Sequence, residues 1–492
     1  MKTFKHGILV VVVGVLLTAC AKDNSDAFDN NSDTFDSDEP IFAIDIGNSN
    51  IPYIQISTSE IIQNEPKVAA EMQVYENGEQ TLSTPIGIEY RGSTSFRLSD
   101  KKSYGIETKD ANGMDVDVSV LDFPEEEDWI LNGHVFRKTT DSETIFDPTL
   151  MHHYIGYQLF QSMGRYASRS KFIELEINGD YQGVYVFMEK LKRDENRINI
   201  AELLAGDNDA ASVTGGYILK IDKTAGGDVA ANQPLSYYEN NWQDDATYTP
   251  FLSFRSAYGV YGNLLSIDPF GPPYHSEQYL ETYFLYEYPK ADNITEPQKD
   301  YIQQYIHNFE TSLLNNDPTS EEKAYTEYID VDSFVDFFII NEVTGNVDGY
   351  RLSTYLHKDR GKKLKMGPIW DLNIGYNRQN RIPFTDWIAN YNTYIPNDPW
   401  LVPFWWQKLL EDNLFRAKLK ERWQSLRANT LSTNTVLGLV DATANHLIEN
   451  GAVERNYQKW QGIDVNYTQS VEELKSYLEN RLAWMDETIT DF

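Results

Sequence analysis

Strand-like and helix-like patterning are segregated along this chain, and that order constrains its fold more than any other feature. Up to Pro289 the sequence reads as short alternating segments broken by Gly, Asn and Pro, with strands predicted over 52–58, 71–75, 86–90 and 104–108. Residues 172–177 and 181–189 flank Asn178-Gly179-Asp180 and predict a hairpin, because Asn-Gly supplies the left-handed backbone that a tight turn needs. Gly215-Gly216 leads into a further short strand over 217–221. One helix is predicted in this half, over 148–162, with Asp147 as its N-cap, Pro148 in its first turn, and Tyr154, Tyr157, Leu159 and Phe160 on its apolar face. Beyond Pro289 helical periods dominate, over 296–314, 331–342, 404–429, 434–450 and 471–489. Segregation of this kind argues for an α+β, bilobal fold with a mixed or antiparallel β-rich N-terminal half and a mainly helical C-terminal half, in preference to a sandwich, a barrel or a doubly wound sheet. The expected divisions are a β-rich lobe over 41–225, a loop-rich insertion over 226–280 and a helical lobe over 281–492.

Charge narrows the function. Asp plus Glu number 75 against 42 Lys plus Arg, a formal net charge of −33, and such a field repels nucleic acid and anionic lipid. The single cysteine, Cys20, excludes an intramolecular disulfide and any cysteine metal cluster. Its surroundings give it another meaning. Lys2 and Lys5 precede an apolar run over 8–17, too short to span a bilayer, and Leu17-Thr18-Ala19-Cys20 follows. Residues 1–19 therefore read as a signal peptide, and the junction resembles a bacterial lipobox, which implies cleavage before Cys20 and lipidation of its thiol. Ala21-Lys22-Asp23 resembles the short export signal of some Bacteroidetes surface lipoproteins. From Ala21 to Pro40 seven acidic residues and one lysine stand among small polar residues, the composition of a disordered spacer. The expectation is an extracytoplasmic body, lipid-anchored to the outer membrane and exposed at the cell surface, touching the membrane through the lipid alone.

Two aspartates stand beside turn-forming residues and predicted strands. Asp348 lies in Asn346-Val347-Asp348-Gly349-Tyr350, and Asp371 in Pro368-Ile369-Trp370-Asp371-Leu372-Asn373. A carboxylate pair at one edge serves phosphoryl transfer, where one group accepts a proton and the other holds a divalent cation. It serves glycoside hydrolysis equally, and loop aspartates also make Asx turns with no chemistry at all. Upstream, Arg91-Gly92-Ser93-Thr94-Ser95 and Lys101-Lys102-Ser103-Tyr104 combine backbone donors, hydroxyls and cations of the kind that bind phosphate, although no Walker-type or GxGxxG loop is present. Eight histidines without a tight ligand spacing argue against a zinc hydrolase.

Taken in order, RGSTS, KKSYGIE, INGDYQGVYVFMEK, GGYILKID, NVDGY, PIWDLN and FWWQKLLEDNLFRAKLKERWQSLR resemble the spore coat protein H (CotH) kinase family, from about Ile51 to the C-terminal helix. That resemblance implies an atypical protein-kinase-like fold that transfers the γ-phosphoryl group of ATP, with Mg²⁺ or Mn²⁺, to Ser or Thr of secreted or surface proteins. It implies Asp348 as catalytic base, Asp371 as metal ligand, and Lys102, or alternatively Lys101, on the nucleotide phosphates with Arg91 at the phosphate end. Glu189 would pair with that lysine, line the nucleotide pocket or serve structure only. Trp405, Trp406, Phe415, Arg422 and Trp423 are helically spaced and read as packing.

Two positions depart from the family pattern. Ser353 stands where the family has Asn five residues after the catalytic Asp, and Asn373 stands where a second Asp is frequent. Both can ligate a cation through oxygen, yet neither carries charge, and Asn346 or Asn377 would have to compensate. The alternative is therefore a weak or inactive kinase-fold lipoprotein acting as an adhesin or a glycan- or protein-binding module, for which the aromatic segment over 235–274 offers stacking surface. The acidic body favours basic or neutral acceptors.

Overall fold

Seven strands of the first half close on themselves. The structure, a computed structural model, describes residues 49–92, 95–96, 99–138, 143–224, 248–266, 280–376, 380–398, 400–461 and 465–492. The signal peptide, Cys20, the spacer, Ser93-Thr94, Asn377 and most of the 226–280 segment lie outside the described residues. Strands β1 (Tyr53–Ser57), β2 (Val68–Glu76), β3 (Glu79–Arg91), β4 (Ser103–Thr108) and β5 (Asp128–Asn132) pair antiparallel in sequence order. A small ribbon of β6 (Phe136–Lys138) and β7 (Glu143–Ile145) follows. The predicted hairpin forms as β8 (Ser170–Ile177) and β9 (Asp180–Glu189). Strand β9 pairs with β5, and β8 returns parallel to β1, which completes a barrel.

That closure corrects the expectation that no barrel would form. The missing link was β5: all five of its residues are buried, so Asp128-Trp129-Ile130-Leu131-Asn132 offers no inside-outside alternation to read. Without it nothing joins β4 to β9. With it, Ile54, Ile56, Met72, Val74, Ile88, Trp129, Leu131 and Phe187 meet in one interior cluster, and the sheet has no free edge.

A second sheet takes strands from both sides of Pro289, in the order β11 (Ser253–Arg255), β12 (Tyr283–Tyr288), β10 (Tyr217–Ile221), β13 (Thr354–Lys358) and β14 (Leu364–Met366). Strand β11 belongs to the segment read as insertion, and β13 with β14 to the half read as helical. The fold is α+β, but its sheets do not respect the boundary that patterning drew.

Helix α1 (His152–Ser162) starts four residues later than predicted, because Leu150 turns the backbone left-handed at φ 64°. Asp147 still accepts a bond from His152 N at 2.8 Å. Helix α2 (Glu296–Leu314) opens with a Thr295–Gln298 capping box, and α3 (Val331–Val343) is capped by Asp330 and buried on nearly every side. The long helix predicted over 404–429 is two, α4 (Trp405–Glu411) and α5 (Asn413–Arg427), broken where Asp412 leaves the helical region and caps the Leu414 and Phe415 amides. Helices α6 (Thr433–Glu449), α7 (Ala452–Lys459) and α8 (Tyr467–Thr490) complete the chain, with α7 unforeseen. Trp405, Trp406, Phe415 and Trp423 are buried in the helical core, and Arg422 pairs with Asp336 at 2.7 Å. Helix α7 docks on the barrel hairpin through Arg455–Glu174 at 2.5 Å and Lys459–Asp180 at 2.6 Å. The described residues form one compact unit, and among them no helix is long and apolar enough to cross a membrane.

Candidate active site

Two buried asparagines shape the loop after α3. Asn341 Nδ2 donates to Phe337 O (2.9 Å), Asn346 Nδ2 donates to Asn341 Oδ1 (3.2 Å), and Asp348 N donates to Asn346 Oδ1 (3.3 Å). A Cβ on Gly349 would stand 2.0 Å from Asn341 Oδ1, so the chain passes only as glycine. This packing presents Asp348 with 18% of its side chain exposed, its Oδ1 accepting from Arg351 Nη2 at 2.6 Å.

Asp371 follows β14 and holds a left-handed backbone, φ 54°, as does Ser353 just before β13, φ 48°. Both are non-glycine residues in a costly region, the kind of strain that a packed site sustains. Ile221 on β10 is in register with Thr354 on β13, so the next residues out, Asp222 and Ser353, face each other. Ser353 Oγ donates to Asp222 Oδ2 at 3.3 Å, and Lys220 Nζ lies 3.7 Å from the same carboxylate.

The three aspartates act on one another. Burial raises the Asp371 carboxyl to about 6, the charges of Asp348 and Asp222 add to the rise, and Arg91 opposes it. About a third of the side chain still meets solvent (34%), so water tempers what the crowding of protein atoms around the carboxyl produces. Asn373 donates to it through Nδ2 at 2.6 Å and through its backbone N–H. His153 Nε2 stands 3.9 Å away, but burial pushes that imidazole down to about 4 and it is neutral, accepting from Leu372 N at 3.2 Å. Arg91, at the end of β3, lies 5.6 Å over the Trp370 ring, next to Asp371.

Asp348, Asp371, Asn373, Ser353 and Arg91 thus belong to one group. The other predicted residues have different surroundings. Lys102 Nζ donates to Phe96 O at 2.8 Å and lies 4.3 Å from the Phe96 ring. Lys101, the alternative, is 2% exposed and turned the other way: its ammonium bonds Val184 O (2.5 Å) and Asn456 Oδ1 (2.8 Å), and burial lowers its pKa well below the usual lysine value. It joins the barrel to α7. Glu189 is fully buried, with Arg169 Nε at 2.9 Å, Arg197 at 3.7 Å and Tyr166 OH at 3.1 Å, so two arginines and a tyrosine surround its carboxylate. Asn346 is committed to the loop itself.

A family model described as CotH kinase protein matches residues 88–485, more than half of the chain. The chain belongs to that family. Among solved structures, the crystal structure of a Helicobacter pylori proinflammatory kinase, CtkA, is similar at 9% identity, covering 75% of this chain and 94% of that one with a TM-score of 0.25. No curated protein matches it.

Two residues of this CotH chain escaped sequence reasoning. Asp222 closes the GGYILKID motif, yet only the β10–β13 register reveals what it faces. Arg351 looks like an ordinary surface residue after a turn, and its burial at 2% had no signature in the sequence.

Proposed function

We propose that this CotH-family chain transfers the γ-phosphoryl group of ATP to a Ser or Thr hydroxyl of a secreted or surface protein, while held at the outer membrane by lipid on Cys20. The observation that carries the reading is the convergence of Asp222, Asp348 and Asp371 from three separate segments, with Asp371 short of countercharge. Carboxylate, amide and hydroxyl oxygens are the hard donors that Mg²⁺ and Mn²⁺ take, and Asp371, Asp222, Asn373 and Ser353 supply them. Such a cation, when bound, neutralises polyphosphate charge. The chain's own residues do the rest. Asp348, with Oδ1 engaged by Arg351, has Oδ2 to accept the proton of the attacking hydroxyl. Arg91 neutralises charge on the phosphate end, and Lys102 is the lysine proposed for the nucleotide.

Intact-mass spectrometry of the body from residue 41, incubated with ATP and Mg²⁺ or Mn²⁺ and a panel of basic and neutral protein acceptors, tests this. The expected result is gains of about 80 Da per phosphoryl group, absent in Asp371→Ala. A second reading, a kinase-fold surface protein that only binds glycan or protein, draws on one observation: Asn373 presents its amide nitrogen to Asp371 where the family frequently has a carboxylate. No mass gain, together with no nucleotide-induced shift in melting temperature, would decide for it.

A further inference from the structure

Arg351 is the most enclosed cation near the aspartate group. Its side chain is 2% exposed, and every face of it is used. Nη2 donates to Asp348 Oδ1 (2.6 Å), Nη1 donates to Asp398 Oδ1 (3.0 Å) and to Trp400 O (3.0 Å), and Nε donates to Val347 O (2.9 Å). The Tyr391 ring lies 4.1 Å from the guanidinium carbon, and Tyr391 OH donates to the other oxygen of Asp398 at 2.7 Å. The Asp398 carboxylate is fixed in its turn by the Trp400 amide at 2.9 Å.

A planar fork held at five points cannot rotate, and it therefore fixes the carboxylate it grips. One oxygen of Asp348 is taken and the direction of the other is set. The same guanidinium places one positive charge beside a group with three carboxylates, and it ties Asp348 to the segment carrying Asp398 and Trp400.

We infer that Arg351 is a positioning residue for Asp348, clamping one carboxylate oxygen so that the other is aimed at the acceptor hydroxyl, with Asp398 and Trp400 O as the anchor of the clamp. This rests on the phosphoryl-transfer reading for its consequence in turnover, but the clamp has an effect of its own on cation binding. Removing one positive charge from beside three carboxylates strengthens their pull on a cation, whereas general damage to the site weakens it.

The test compares wild type, Arg351→Gln, Arg351→Lys and Asp348→Asn/Arg351→Gln, each checked for folding by circular dichroism. Mn²⁺ titration of the nucleotide-free proteins reads the charge. Arg351→Gln is expected to bind Mn²⁺ at least about fivefold more tightly. Arg351→Lys, which keeps the charge and loses the fork, should stay within about twofold, and the double variant, which removes the Asp348 charge as well, should return to near wild type. ADP release reads the aim: turnover should fall on the order of a hundredfold in both single variants, with KM for ATP nearly unchanged. Weaker or unaltered Mn²⁺ binding in folded Arg351→Gln overturns the clamp, as does full turnover in Arg351→Lys. A wild type that releases no ADP while the Mn²⁺ pattern holds sinks the transfer reading and leaves the clamp standing.

Discussion

One helix start separates two aspartates that live very differently, Asp147 buried and Asp371 about a third exposed. His152 and His153, adjacent at the head of α1, point to opposite sides: His152 Nε2 stands 3.5 Å from Asp147, and His153 Nε2 stands 3.9 Å from Asp371. Asp147 is surrounded by donors, Thr149 N at 3.0 Å, Thr149 Oγ1 at 2.6 Å and His152 N at 2.8 Å. Burial alone would raise its pKa, but His152, His134 and these donors pull it below the usual carboxylate value. Among the described residues Asp371 takes its donors from Asn373 alone, the side-chain amide at 2.6 Å and the backbone N–H, and burial together with two other aspartates pushes its pKa up. The fold satisfies the first carboxylate completely and leaves the second in deficit. A carboxylate satisfied by its own chain builds structure; one left in deficit is prepared for a cation from outside.

Removing each carboxylate in turn should give the largest difference between the two. Asp147→Ala strips the Thr149 and His152 amides of their acceptor, and a loss of about 2–4 kcal/mol in urea unfolding is expected, with no recovery on adding Mn²⁺. Asp371→Asn should leave unfolding in the absence of metal unchanged or shifted upward at pH 8, while Mn²⁺ affinity drops about tenfold or more. Equal destabilisation by the two variants would erase the distinction between them.

How the two differ in legibility is instructive. Asp147 was readable, because an acidic residue before Pro and an apolar period is a helix-start signal; the start then slipped to His152 through the Leu150 backbone, a tertiary effect. The hairpin of β8 and β9 and the strand β10 were legible from turn residues and apolar runs. Strand β5 was not, because full burial erases the alternation that identifies a half-buried strand. In the site, loop aspartates beside Gly and Pro drew attention to Asp348 and Asp371. Asp222 stayed hidden because its importance lies in register with Ser353, a relation between residues 131 apart. Lys101 and Lys102 were indistinguishable by sequence, since adjacent residues entering a strand face opposite sides and nothing local says which side is which.

Titration sharpens the same contrast, with opposite signs. The folded Asp371 titrates at about 6 against an ordinary value near 4 in the unfolded chain, so its favourable contribution is fully present below about pH 4 and is lost as pH rises through 6. Asp147, lowered on folding, contributes above about pH 4 and loses that contribution as pH falls through its folded value. Unfolding free energies of wild type minus Asp371→Asn should therefore decline between pH 4 and 6 and level off above 7 without metal. Wild type minus Asp147→Asn should be flat there and decline only in acid. A flat Asp371 difference would mean that solvent reaches the carboxyl and cancels the deficit.

The smallest effect belongs to the histidine between the two regions. His153 is neutral above about pH 5, since burial brings its imidazole to about 4, and its role toward Asp371 is to accept the Leu372 amide bond that fixes the turn following it. Replacing it by Phe keeps the ring contact with Tyr157 in range while deleting the acceptor of the buried Leu372 amide and the contact of Nδ1 with Asn132 Nδ2 at 3.4 Å, so a loss of about 1–3 kcal/mol is expected, the cost of leaving a buried donor unsatisfied. Because no charge is removed, Mn²⁺ affinity at pH 7.5 should stay within about twofold of wild type. A tenfold gain would mean that the imidazole is protonated and was repelling the cation, and a tenfold loss that it is a ligand. Either result would move His153 from the satisfied side of the comparison to the side in deficit.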